Sequence, residues 1–254
     1  MKNIAVILTA LAVASPSVAQ STRMMMPEGS KDIYLTLAAA YTPESEGSAR
    51  RRTYVSPMVS AEFSNGVFID MNTVGVHLSD NPQFDYGVQA TPTVSHVRVP
   101  TADGWESKRR FTPEVGAFVR YSLAHGVGLR SALMYGGSVD HRGLRLRLGA
   151  IMAWPVAEHH GVGINVDATL ANRSALQADF SVLPSHPNAA LPLYDAKGGL
   201  RDTSINAFWS WQLSTKYTFR SILQWNRLHG GAAASPRIER ANGATAITSV
   251  TYQF

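Results

Sequence analysis

The sequence predicts an all-β fold, a transmembrane antiparallel up-and-down β-barrel, and three observations carry this prediction. Apolar and polar residues alternate along most of the 254-residue chain, as they do in strands that are buried on one face only. After the N-terminal segment, no stretch approaches the ~20 apolar residues of a membrane helix. The last strand carries Val250, Tyr252 and Phe254 on one face, the kind of aromatic ending that resembles the assembly signal of outer-membrane barrels.

The first residues predict a cleaved signal peptide. Lys2 precedes an apolar run from Ile4 to Ala14, and Ser17-Val18-Ala19 offers the small residues that a signal peptidase reads. The expected organisation is therefore a signal peptide at 1–19, a flexible leader at 20–30 and a barrel at 31–254. The chain has no cysteine, which excludes disulfides and a lipidated-cysteine anchor. We expect export to the outer membrane of a Gram-negative bacterium.

Alternation defines the strands in order, and it is clearest from Gly143 to Trp154. Leucines occupy one face there, while Arg145 and Arg147 lie opposite, where a membrane barrel has its watery lumen. We predict twelve strands, at 31–41, 53–63, 67–78, 84–98, 112–123, 127–136, 143–154, 162–171, 175–183, 200–213, 217–228 and 243–254. The segment 175–183 has the weakest pattern, and its loss together with a neighbour would give ten strands.

Turn residues separate these strands and predict their direction. Asn65-Gly66 is a strong hairpin signal, and with Ser214-Thr215 we place it on the periplasmic side, because an even strand count leaves both chain ends there. The longer links 42–52, 184–199 and 229–242 then face outward. Within 67–78 the apolar face switches sides, for which we predict a bulge near Asn72-Thr73.

Several segments resemble the MltA-interacting protein family, also called the OmpV family. The C-terminal half carries the resemblance best, at 178–182, at 191–202 (LPLYDAKGGLRD), at 230–238 (GGAAASPRI) and at the final Tyr252-Gln253-Phe254. The segment 41–48, Pro57 and the hairpin 65–68 match less closely. Ser45 stands where the family usually has Tyr, and Gly231 stands where its Gly-Asp-Ala loop has the acid.

The resemblance implies an outer-membrane barrel that acts as a non-enzymatic scaffold for peptidoglycan-remodelling enzymes. Its expected partners are a lytic transglycosylase and a penicillin-binding synthase, besides the barrel-assembly machinery, outer-membrane lipid and lipopolysaccharide. Two alternatives stay open: a small-solute channel with an arginine-lined lumen, and a surface adhesin or antigen that uses the long outward loops. The formal net charge of +5 does not indicate nucleic acid in an exported protein.

The residues assemble no catalytic, cofactor or metal site. Ser95 and His96 are adjacent on a strand, so their side chains point to opposite faces and cannot form a nucleophile–base pair. His159-His160 has only Glu158 beside it, and adjacent histidines in a loop are ordinary solvated residues. The candidates for function are the charged residues expected to face the lumen: Glu114, Arg120, Arg130, Arg145, Arg147, Asp167 and Arg220. They would either attract anions or close the lumen through ion pairs, and we favour closure because a twelve-strand lumen is narrower than that of the 16–18-strand porins.

Overall fold

The computed structural model describes residues 26–101, 104–138, 141–182 and 191–254, which form a closed, all-antiparallel barrel of twelve strands. The elements are β1 (Lys31–Pro43), β2 (Arg51–Phe63), β3 (Val67–Asp70), β4 (Thr73–His77), β5 (Phe84–Thr101), β6 (Gly104–Ala124), β7 (Val127–Ser138), β8 (His141–Ala157), β9 (His160–Ala171), α1 (Arg173–Phe180), β10 (Gly199–Gln212), β11 (Tyr217–Leu228), α2 (Gly230–Ala233) and β12 (Asn242–Gln253). Each strand pairs with its sequence neighbours, and β12 pairs with β1 to close the barrel. The structure confirms the predicted fold class and strand count.

The two faces of the wall differ as the alternation predicts. On β8, Leu144, Leu148 and Met152 are 43%, 44% and 53% exposed on the outside, whereas Arg145 points inward. Aromatic residues near strand ends also face outward, among them Tyr41, Tyr135, Trp154, Trp211 and Tyr217. An apolar outer band with aromatic edges is the surface that a lipid bilayer stabilises.

The two ends of the barrel differ in their connections. The terminal end holds Lys31 of β1 and Gln253 of β12, and its turns are short. Asn65-Gly66 and Ser214-Thr215 are both turns of this end, and Gly66 has φ 88°, a conformation that favours glycine. The opposite end, here the loop end, carries residues 44–50, residues 172–182 and 191–198 with helix α1, and residues 229–241 with helix α2.

The segment 67–78 is two strands rather than one strand with a bulge. The chain reverses at Met71-Asn72, so that Asp70 pairs with Thr73, and Met71 has φ 55°. The prediction of a single strand was therefore wrong, and the switch of the apolar face marks a hairpin. Because of this extra reversal, β5 and β6 meet in a hairpin of the loop end, where Thr101 pairs with Gly104.

The predicted strand at 175–183 is also wrong, because this segment contains helix α1. Asn172 is its N-cap: its side-chain Oδ1 accepts a hydrogen bond from the Ala175 N–H at 3.0 Å, which satisfies one of the free donors of the first turn. Apolar residues four apart, Leu176 and Phe180, then form one buried face. The strand gained at 67–77 and the strand lost here cancel, so the total remains twelve.

The wall has one low part, which we name the half-height sector: β3, β4 and the adjoining edges of β2 and β5. β3 and β4 have four and five residues, against 13 in β2, and a spanning strand needs ~9–11. β3 pairs with β2 only over residues 60–62. Among the described residues, no strand pairs with that edge of β2 from Arg51 to Met58.

Prolines lie on both edges of the half-height sector. The Met71 N–H donates to the Val59 carbonyl, so Val59, and every second residue along β2 from it, directs its backbone groups away from β1. Pro57 is one of these residues. Likewise Pro92 of β5 faces the sector, because its carbonyl accepts from Asn72. Each edge therefore lacks an N–H donor where a further strand would pair.

The other expectations on chain organisation concern the first residues. Residues 1–19 and 20–25 lie outside the described residues. Within the expected leader, the Ser30 N–H donates to the Pro27 carbonyl in a turn, and the Gly29 N–H donates to the Ser64 hydroxyl at 2.9 Å. No helix in the described part of the chain is long and apolar enough to cross a membrane.

Candidate functional site: a charged lumen under a helical cap

Helices α1 and α2, with residues 191–196, form what we name the helical cap at the loop end. The cap has its own apolar core, in which the side chains are at most about 6% exposed: Ala171, Ala175, Leu176, Phe180, Ala196, Leu228 and Ala232. Val182 and Tyr194 exchange backbone hydrogen bonds at 2.8 and 2.9 Å. The Tyr194 hydroxyl donates to the Gly231 carbonyl at 2.8 Å. The cap is thus a packed structure that belongs to this end of the barrel.

α1 is seated directly on the wall at Gly143 of β8. A Cβ atom at Gly143 would lie 2.4 Å from the Ala175 nitrogen and 2.5 Å from the Ala175 Cβ, closer than atoms can approach. The Asn172 side chain also accepts from the Leu144 N–H at 3.1 Å, so it joins the helix N-terminus to the same strand. Only a glycine at position 143 allows this approach of helix and strand.

Arg145 connects the cap to two sides of the lumen. Its Nη2 donates to Asp179 of α1 at 2.9 Å, and its Nη1 is paired with Glu114 of β6. All three side chains are less than a fifth exposed. One cation between two largely buried carboxylates is a charge-assisted bridge, and it fixes β6, β8 and α1 relative to one another.

A second cluster binds the first loop to β10. Arg201 is paired with Asp202 and also with Glu46 of residues 44–50, the latter at 2.6 Å. Asp202 in turn accepts from the Thr169 hydroxyl of β9 at 3.0 Å. The Arg201 guanidinium also lies over the Phe180 ring, 5.4 Å from its centroid. The cap, the first loop and the wall therefore share one charged network.

An exposed pair holds the outer side of the cap. Asp195 accepts a hydrogen bond from Gln177 of α1 at 2.6 Å and is ion-paired with Arg173. The hydrogen bonds from Gln177 and Arg173 lower the pKa of the Asp195 carboxyl below its ordinary value. Because Asp195 is exposed to solvent, salt and water weaken this contact.

The predicted lumen charges do not all meet in one place. Arg130 and Asp167 form a bidentate pair at 2.7–3.0 Å between β7 and β9, and Arg145 meets Glu114 as described. Arg120 is 3.8 Å from Asp85 and half exposed. Arg220 is 5% exposed, and its guanidinium lies over the Phe208 ring at 5.2 Å.

Arg147 differs from the other lumen arginines. It alternates with outward-facing leucines on β8, yet its side chain is exposed to water. No carboxylate in the described part of the chain lies within ion-pair distance of it. Arg147 is thus an exposed cation, without an ion-pair partner among the described residues, that a soluble anion inside the barrel could reach.

Apolar side chains fill the lumen below the cap. One cluster joins Tyr54 and Met58 of β2 to Ile222 and Ile247, with Met71 and Phe208 packed against it. Near the terminal end, Phe68, His77 and Phe118 form an aromatic group with ring centroids 4.7–5.7 Å apart. The His77 Nδ1 lies 2.8 Å from the Asp85 carboxylate. Ion pairs and packed side chains thus occupy the lumen at several levels between the two ends.

The structure gathers no metal-binding group of three or more His, Asp or Glu side chains within its described residues. His159 has Glu158 3.6 Å away, and both side chains are well exposed at the terminal end. His160 instead stacks against Trp209 and Trp211, with centroids 5.7 and 5.5 Å away, and the two indole rings lie 6.2 Å from each other. The side chains of Ser95 and His96 lie outside the part that the structure describes.

The proposed assembly-signal residues lie on the outer face of β12 at the terminal end. Val250 and Phe254 are 39% and 70% exposed. The Tyr252 ring packs edge-on against Phe254 and at a tilt against Tyr217 of β11, at centroid distances of 4.9 and 5.0 Å. A recognition role for this exposed aromatic face remains a prediction.

Sequence reasoning missed the cap and the residues that bind it to the wall: Glu46, Asp179, Asp195, Arg201 and Asp202. The helix signal was present, since Asn172 is a good N-cap residue and Leu176 and Phe180 are spaced by four. Ion pairs such as Arg201 with Glu46 join residues 155 positions apart, and single-sequence patterns do not report such distances.

Comparison with known proteins places this barrel. Solved outer-membrane structures resemble it at low identity. They include a bacterial polysaccharide outer membrane secretin (TM-score 0.50, 9% identity, 87% of this chain and 98% of that chain) and the NanC porin (TM-score 0.46, 11% identity, 87% and 100%). An outer-membrane channel from Pseudomonas putida F1 has TM-score 0.47 and 8% identity, covering 95% and 100%. Of these three similarities, we use only the one to the secretin, and it supports the fold alone.

No curated protein matches the chain by sequence. The family model of the MltA-interacting protein MipA matches residues 35–254, which is nearly all of the barrel. Since this match covers most of the chain, the protein is an outer-membrane β-barrel that belongs to the MltA-interacting protein MipA family.

Proposed function

We propose that this protein is a non-enzymatic outer-membrane scaffold that holds a peptidoglycan-remodelling enzyme of the lytic transglycosylase class at the membrane. The observation that supports this role best is the cross-braced lumen, in which Arg145 bridges Glu114 and Asp179 under the helical cap. A barrel filled in this way serves as a rigid anchor, and its family is described by an interaction with MltA. A penicillin-binding synthase is the expected second enzyme.

The scaffold needs a surface that faces the cell wall, and we assign this role to the terminal end. Its turns are short and anchored on both sides by strands, so they present fixed side chains. Asn65, Glu158 and Thr215 are exposed there, with Glu158 carrying a side chain that is 90% accessible. A rigid, preorganised rim binds a partner with little loss of conformational entropy.

Site-specific photocrosslinking in cells tests this assignment. A photoreactive residue is placed at Asn65, Glu158 or Thr215, and adducts are identified by mass spectrometry. Matched positions at the loop end are Ala49, Lys197 and Glu239, which are also exposed. We expect a transglycosylase adduct from the first set only. Adducts confined to assembly factors, or equal transglycosylase adducts from both ends, would refute the scaffold.

A channel for small anions is the second candidate, and the water-exposed Arg147 favours it. In this alternative the helical cap would have to move before solutes pass. Planar-bilayer recording of the refolded wild type decides between the two: we expect no conductance from a scaffold. Conductance whose anion preference is reversed by Arg147→Glu would establish the channel instead.

The third candidate, a surface adhesin or antigen, would use the loop end. The cap presents exposed residues such as Leu193, which is 64% accessible. Replacement of residues 191–197 by a short polar linker tests it, because host-surface binding that survives this replacement speaks against a role of the cap.

A further inference from the structure

The outer wall has a groove in its apolar band, near the loop end. It has a volume of about 560 Å³ and lies over β10, β11 and β12. Register pairing sets Trp225 beside Ala244 and Leu223 beside Ala246. Leu223 and Trp225, 68% and 43% exposed, therefore form a ridge, and the two alanines of β12 form the adjacent floor. The groove arises because β12 carries small outward residues next to a strand with large ones.

Arg51 closes the loop-end side of this groove. Its Nη2 donates to the Ala244 carbonyl at 2.7 Å and to the Tyr41 carbonyl at 3.3 Å, and its Cζ lies 4.4 Å from the centroid of the Tyr41 ring. The side chain thus crosses β1 from β2 to β12 on the outside of the barrel. These contacts fix the position of the guanidinium without neutralising it.

The charge of Arg51 has no counter-charge among the residues that the structure describes. No carboxylate of the described residues lies within ion-pair distance of it. A guanidinium has five N–H donors in a planar fork, and only Nη2 is used by carbonyls here. An anionic oxygen at the edge of the bilayer is the complement that this arrangement lacks, because phosphates bind such forks with two parallel hydrogen bonds.

We propose that the groove binds one phosphorylated lipid of the loop-end leaflet, with an acyl chain on Ala244 and Ala246 and its phosphate on Arg51. The floor is apolar and faces hydrocarbon, so a chain fits it without burying a polar group. In an outer membrane whose outer leaflet faces the loop end, this lipid is lipopolysaccharide, bound through its lipid A. The site does not depend on the scaffold role proposed above.

A second copy of the chain is a poorer occupant. Contacts between identical subunits are usually twofold symmetric, and such a contact centred on the groove would bring the two Arg51 side chains to the same interface. Like charges at low dielectric repel strongly. One lipid phosphate per barrel avoids this repulsion and balances the charge of Arg51.

Native mass spectrometry of the refolded barrel with added lipid A tests the proposal. We expect a 1:1 adduct with wild type, weakened roughly fivefold by Arg51→Gln, since one basic residue near an anionic surface contributes about 1 kcal/mol. Ala246→Leu fills the floor and should weaken the adduct similarly. Both positions are exposed to lipid, so neither change removes core packing.

The matched control is Lys216→Gln. Lys216 also lies over a tyrosine, 5.6 Å from the Tyr252 centroid, but at the terminal end, and this variant should retain the wild-type adduct. Dephosphorylated lipid A should bind wild type and Arg51→Gln equally, because it offers Arg51 no phosphate. The proposal is overturned if lipid A binds all four proteins alike, if removal of the phosphates changes nothing, or if the wild type without lipid is a dimer that Ala246→Leu dissociates.

Discussion

The braced side of the barrel, from β6 to β10, and the half-height sector at β3 and β4 are built in opposite ways. The braced side has full-length strands, an ion-pair network and the helical cap. The half-height sector has strands of four and five residues and prolines on both edges. The comparison shows that short strands such as β3 and β4 are enough to close the hydrogen-bonded barrel. The shape of the taller wall from β6 to β10 is fixed in addition by ion pairs inside the lumen.

The strongest test of this comparison is to remove the central cation of the braced side. Arg145→Met leaves Glu114 and Asp179 without their shared partner in a largely buried place. We expect a loss of about 3 kcal/mol in the free energy of unfolding, measured by guanidinium denaturation in lipid vesicles. Arg147→Met is the matched control on the same strand, and it should change stability by under ~0.5 kcal/mol. Equal losses would show that the bridge does not brace the barrel.

The seat of the cap is tested by a single methyl group. Gly143→Ala places a Cβ where the Ala175 backbone lies, so α1 must shift, at a cost of about 1–3 kcal/mol. We expect faster proteolysis within residues 172–198 while the strands stay protected. Gly161→Ala serves as the control, because its Cβ would meet the Ser210 hydroxyl at 3.1 Å and the Trp154 carbonyl at an ordinary 3.8 Å. Protection of the cap in both variants would contradict a tight seat.

Replacing the prolines of the half-height sector should have a smaller effect than the changes above, and it should affect only the association of barrels with one another. Pro57→Thr combined with Pro92→Thr gives the open edges two N–H donors, each contributing about 1 kcal/mol when bonded. We expect dimers in detergent by analytical ultracentrifugation, since free strand edges pair with other chains. The control is Pro155→Thr on β8, which lies outside the half-height sector and pairs with Gly161 of β9. If both variants remain monomeric, the prolines do not protect the edges.

The smallest expected effect is a loosening of the outer side of the helical cap at low pH. The pKa of Asp195 is lowered in the folded protein, so its contacts stabilise the cap above the ordinary carboxyl pKa and are lost as pH falls through the lowered value. A dye attached to Lys197→Cys should report loosening only below about pH 4. Asp195→Asn should remove this step, and its persistence in that variant would assign it to another group.

Much of the fold could be predicted from the sequence, because each strand of the barrel wall shows its own alternation of apolar and polar residues. On β8, leucines alternate with Arg145 and Arg147, and this local pattern alone indicates which side chains face outward and which face the lumen. The hairpin at Met71 was harder, since a bulge and a reversal both switch the apolar face and only pairing with distant strands distinguishes them. The segment after Asn172 carried helix signals that the expectation of an unbroken series of strands overrode.

The candidate site was predictable only in part. Alternation indicates which charges point inward, but the partner of each depends on strand register and tilt. Arg130 meets Asp167 across 37 positions, and Arg145 meets Asp179 of a helix that was predicted to be a strand. The lipid groove depends on residues of four strands, and no stretch of sequence contains it.

Because of the half-height sector, the height of the barrel wall within the bilayer differs from one side to the other. With ~3.3 Å per residue, four or five residues reach about 13–17 Å, roughly half of the ~30 Å hydrocarbon thickness. Lipid tails beside this sector must therefore shorten or tilt in the loop-end leaflet, at a modest cost for each ångström of mismatch. The protein would then favour locally thin membrane on one flank only, and neighbouring barrels would lower the cost by turning these flanks toward each other.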